Sequence, residues 1–60
     1  MDKNQLRINK LREAVRFSTG KIDLQDCLVN YYKHIKIYGS CSQVENDIEV
    51  LKAMILNEDK

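Results

Sequence analysis

His34, Cys27 and Cys41 are the side chains in this sequence best suited to metal binding or nucleophilic chemistry. A structural zinc site usually needs four ligands, with the short spacings Cys-x-x-Cys or His-x-x-x-His. Neither spacing occurs, so no metal is expected. A general acid or base needs a reactive neighbour. On a helix, the residues four away from His34 are Asn30 and Tyr38, which form no nucleophile–base pair. His34 is therefore predicted to be packed or solvated. Cys27 falls on an apolar seam, where a free thiol behaves as a small hydrophobe. Both thiols are expected to be reduced in a cytosolic chain, since a bridge would need Cα atoms within about 7 Å. The carboxylate pairs Asp23/Asp26 and Glu45/Glu49 sit at predicted helix starts, where the helix dipole accounts for them. No Gly-rich phosphate loop or serine elbow is present. These observations predict no enzyme activity and no cofactor.

The basic residues form a second constellation. Lys3, Arg7 and Lys10 make one stripe on the first predicted helix, and Arg12 and Arg16 make another across its apolar face. All five are candidates for contact with nucleic acid or with an acidic partner. Residues 41–60 carry Glu45, Asp47, Glu49, Glu58 and Asp59 against Lys52 and Lys60. Such polarity either pairs the first helix with the third or steers a partner. The connectivity, three short helices with a tight turn at Gly39, resembles a helix-turn-helix in outline only. The helix after that turn begins "SQVENDIEVL" and presents carboxylates, whereas affinity for a duplex comes mostly from Lys and Arg. Direct DNA binding through the basic first helix is the secondary expectation.

Three helices are predicted to position these residues, at about 3–18, 24–37 and 43–57. Ile8, Leu11 and Val15 recur at helical spacing in the first, with Ala14 beside them. Gly20 should close that helix in the left-handed region. Asp23 reads as the N-cap of the second helix, with Ile22 and Cys27 as a hydrophobic staple. Leu24, Leu28, Tyr31, Ile35 and Tyr38 then form its seam. Gly39 reads as the C-terminal cap. Ser42 with Glu45, or Ser40 with Gln43, has capping-box spacing. Val44, Ile48, Leu51 and Ile55 form the inner stripe of the third helix. The fold class is all-α: one compact three-helix domain.

More apolar surface remains than this core can bury. Leu6 and Phe17 fall opposite Ile8 and Val15. Val29 and Ile37 lie off the second stripe with Tyr32 at its edge, and Val50 and Leu56 lie off the third. Sixty residues bury only about 60% of their unfolded surface, and such scaffolds usually need support from a partner chain or a covalent or metal staple. A homodimer is therefore expected, with Leu6, Phe17, Tyr32 and Val50 as protein-interface candidates. Charged residues make up 32% of the chain and proline is absent. No apolar run approaches the roughly 20 residues of a membrane helix, and the N-terminus lacks a signal-peptide core, so a cytoplasmic location is expected. Abundant Lys, Asn and Ile with scarce Ala, Gly and Pro fit an AT-rich genome such as that of a low-GC bacterium or its phage. The functional expectation is a small non-enzymatic regulator that binds another protein, such as a host transcription regulator.

Overall fold

The computed structural model describes residues 3–58. They form three helices: α1 (Lys3–Arg16), α2 (Lys21–Tyr38) and α3 (Ser42–Glu58). α2 is the central helix and packs on both others, while α1 and α3 meet more sparsely. The shared core consists of Ile8 from α1, Leu24, Cys27 and Tyr31 from α2, and Val44, Ile48 and Leu51 from α3. Leu11, Val15, Leu28, Ile35, Cys41 and Ile55 close its edges. The periodicity of α1 and α3 thus places their inner faces as expected. No helix among the described residues is long and apolar enough to cross a membrane.

The buried face of α2 is rotated from the predicted seam. It runs through Leu24, Cys27, Tyr31 and His34, while Leu28 and Ile35 are half-buried and Tyr38 is exposed. A helix with a neighbour on each side buries a broad stripe centred between them. That stripe includes the Cys27 thiol, placed on the seam as a small hydrophobe, and the His34 imidazole, which an apolar count leaves out.

The helix ends also differ from expectation. α1 stops at Arg16, and the Ser18 hydroxyl donates to the Ala14 carbonyl at 2.8 Å. α2 begins at Lys21, three residues earlier than predicted, with Gly20 at the N-cap. Asp23 lies in the first turn and accepts hydrogen bonds from the Thr19 N–H at 3.1 Å and the Thr19 hydroxyl at 3.0 Å. The Ile22–Cys27 staple does not form, because Ile22 is 76% exposed while Cys27 is in the core. α3 begins at Ser42, and Cys41 offers its carbonyl to the Glu45 N–H at 2.9 Å. The Glu45 carboxylate is reached by the hydroxyl of Ser40, not Ser42, at 2.9 Å.

Gly20 and Gly39 have positive φ, 96° and 86°, but with ψ of 173° and 168°. This is the mirror-extended region, open essentially to glycine alone, and not the left-handed helical region expected. Gly39 still caps α2, its N–H donating to the Ile35 carbonyl at 2.7 Å.

Candidate functional site

α1 and α2 leave an open groove of about 350 Å³ between them. Its wall on α1 is Arg7, Lys10 and Leu11, and its wall on α2 is Asn30, Lys33, His34 and Ile37. The α2 residues recur at i, i+3, i+4 and i+7, so one face of the helix supplies them. Three cations rim the groove and no carboxylate lines it. None of the three cations is ion-paired with a described residue. Leu11 and Ile37 supply apolar surface. The site therefore combines positive charge with an apolar floor.

His34 belongs to this groove and to the core together. It is 2% exposed, and neither ring nitrogen has a hydrogen-bond partner. An imidazole always offers at least one N–H donor, and leaving such a group buried and unsatisfied costs about 1–3 kcal/mol. Packing holds the ring in place. His34 stacks on Tyr38 with centroids 4.9 Å apart and planes inclined at 29°. The Arg7 guanidinium lies 5.3 Å from the centroid of the same tyrosine ring. Arg7, Tyr38 and His34 thus fix one end of the groove, and a guanidinium over an aromatic ring is held with little loss on binding.

The five basic candidates divide by helix face. Arg7 and Lys10 enter the groove. Arg12 lies on the opposite flank, where its Nε donates to Asp47 at 2.7 Å. Arg16 is exposed at the end of α1 and borders a shallow hollow with Asn9, Arg12 and Glu13. Lys3 is exposed in the first turn. Asp47 also accepts a hydrogen bond from the Tyr31 hydroxyl at 2.9 Å. That hydroxyl's pKa is pushed well above the ordinary phenol range, first by burial and then by its bond to the carboxylate. The Arg12 guanidinium is likewise shifted up by its hydrogen bond to Asp47. Basic α1 and acidic α3 therefore do pair, at this one flank.

The four apolar interface candidates are all exposed, Phe17 at 73%. Leu6 lies on the outer side of α1, and Phe17, one residue past its end, prolongs its last turn by donating its N–H to the Glu13 carbonyl at 3.1 Å, which places the two about 20° apart at 100° per residue. Val50 borders a small hollow with Arg12, Val15, Tyr31, Asp47 and Leu51. Tyr32 lies on the outer flank of α2, so the four residues come from three helices. Ile22, Val29, Ile37, Tyr38, Met54 and Leu56 are exposed too. Cys27 and Cys41 are free thiols, Cys27 in contact with the Ser18 hydroxyl at 3.1 Å. Among the described residues, no three His, Cys, Asp or Glu side chains are grouped to hold a metal.

Sequence reasoning found Arg7 and Lys10 but missed Asn30, Lys33, His34 and Ile37 as their partners. The four are a helical stripe, but a polar–apolar mixture scores on neither an apolar nor a charged count. No protein-family model, curated protein or solved structure matches the chain.

Proposed function

We propose that this chain is a small non-enzymatic regulatory protein that acts by binding another protein through its helical surface, and that it also self-associates as a homodimer. The observation that carries this reading is the excess of exposed apolar side chains. Among the described residues, ten large ones are exposed, nine on the three helices and Phe17 just past α1, around a core of seven apolar residues. Isolated exposed apolar residues are ordinary; a surplus on every helix supplies a second face to bury, at roughly 25 cal/mol per Å². Occupying a partner's surface is the mechanism, with apolar contact setting affinity and the charge polarity setting orientation and association rate. The Lys-, Asn- and Ile-rich composition fits an AT-rich genome; a phage or mobile element is the proposed source and a host transcription regulator the proposed partner.

Direct DNA binding is the second reading. It is favoured by Lys3, Arg7 and Lys10, which are exposed on one flank of α1. Two assays separate the two. A DNA-binding protein retards a duplex at low salt and releases it steeply as salt rises. A protein-binding module leaves the duplex unshifted, and the immobilised chain retains a defined protein from host lysate that excess soluble chain competes away. Duplex binding with no protein retained would reverse the order of the two readings.

A further inference from the structure

Resting on the protein-binding reading, we infer that the α1–α2 groove is the docking site for an acidic amphipathic helix of the partner protein. Charge selects the occupant. Arg7, Lys10 and Lys33 converge on the groove without a carboxylate between them, so an apolar ligand alone would leave three cations uncompensated as water is excluded. The floor selects against a bare anion. Ile37 is 62% exposed beside Leu11, and a phosphate backbone laid there would meet aliphatic carbon.

Length and form agree. Asn30 to Ile37 covers eight residues, seven rises or about 10 Å along α2 at 1.5 Å per residue. That equals the reach of the i, i+3/i+4 and i+7 anchors by which a helix docks in a groove.

A second copy of the chain is a poor occupant. Two grooves facing each other across a two-fold axis would oppose like charges. The acidic residues Glu45 and Glu49 are exposed on α3, which contributes no residue to the groove, so α3 docking would be head-to-tail and open-ended. The groove therefore serves a different polypeptide, leaving Leu6 and Phe17 for self-association.

The test uses fluorescence anisotropy on the full chain. The probe is a fluorescein-labelled synthetic helix of roughly 16 residues, with leucines at heptad spacing flanked by glutamates. A lysine-flanked peptide and a glutamate peptide with serine for leucine serve as controls. The acidic leucine peptide should bind at least about tenfold more tightly than either. Lys10→Glu/Lys33→Glu and, separately, Ile37→Asp should each weaken it about tenfold or more. Arg16→Glu/Lys36→Glu carries the same net charge change away from the groove and should stay within about twofold. Circular dichroism confirms that each variant is folded. Equal binding of the three peptides, or an undiminished affinity in the groove variants, overturns the proposal. So does displacement of the peptide by duplex DNA or decanoate at concentrations below its own. The broader reading fails separately. If Lys10→Glu/Lys33→Glu still retains the same lysate protein, the groove assignment falls and protein binding stands; if the wild-type chain retains none, the broader reading falls.

Discussion

Single side chains in this molecule carry loads that their types do not announce. Tyr31 is a core residue whose hydroxyl must find a partner, and Asp47 supplies it while also holding Arg12. Tyr31→Phe deletes one hydrogen bond and should cost about 1 kcal/mol. Asp47→Ala leaves the buried hydroxyl without an acceptor and should cost about 1–3 kcal/mol, the larger loss in urea titrations. The phenol also makes stability depend on alkaline pH. In the unfolded chain it titrates near about 10, whereas in the folded protein its pKa is raised. Above that pH the folded state binds the extra proton, so this contribution is complete below about pH 10 and is lost as pH climbs past it. Tyr31→Phe should flatten that part of the alkaline stability curve; an unchanged slope would remove the linkage. His34 works in the opposite direction. His34→Phe keeps a ring against Tyr38 and removes the unsatisfied nitrogens, so the melting temperature should rise, by the equivalent of about 1 kcal/mol. A fall would mean that the imidazole has a partner, such as a buried water, that phenylalanine cannot replace.

Among the elements, the turns are where sequence and structure part. The inner faces of α1 and α3 follow directly from the spacing of Ile8, Leu11 and Val15 and of Val44, Ile48, Leu51 and Ile55. Two features of α2 do not. Asp23 can serve equally as an N-cap or as a first-turn acid reaching backward, and only the position of Gly20 decides. His34 on the buried face of α2 is invisible to an apolar count, and so is the mixed Asn30, Lys33, His34 and Ile37 wall of the groove. Lys33 carries no signal in the sequence of its own helix, because its place in the groove depends on α1 bringing Arg7 and Lys10 to the same site. The two glycines test the turn geometry. Each has open space where a Cβ would stand, so any cost of alanine is purely conformational. Gly20→Ala and Gly39→Ala should each lose about 1–3 kcal/mol in thermal or urea unfolding. D-alanine, introduced by chemical synthesis, should restore most of it. Equal effects of the two enantiomers would contradict the assigned backbone conformation.

At the scale of the whole molecule, a small core and a wide apolar exterior point the same way. Self-association through α1 predicts a mass near twice 7.0 kDa in sedimentation equilibrium at micromolar concentration. Leu6→Glu/Phe17→Glu should return it to a folded monomer, because both side chains are exposed in the single chain. A wild-type chain that stays at 7.0 kDa while fully helical rejects the dimer. The distribution of charge then assigns the faces. Arg12 and Asp47 neutralise each other at the α1–α3 flank, and the α1–α2 flank stays positive.

The most direct measurement of that assignment is an amide nuclear magnetic resonance titration of the folded chain with the acidic leucine peptide. The groove account predicts saturable shifts concentrated on Arg7, Lys10, Leu11, Asn30, Lys33, His34 and Ile37, with α3 silent. Shifts centred on α3, spread evenly over the three helices, or absent at saturating peptide would contradict it.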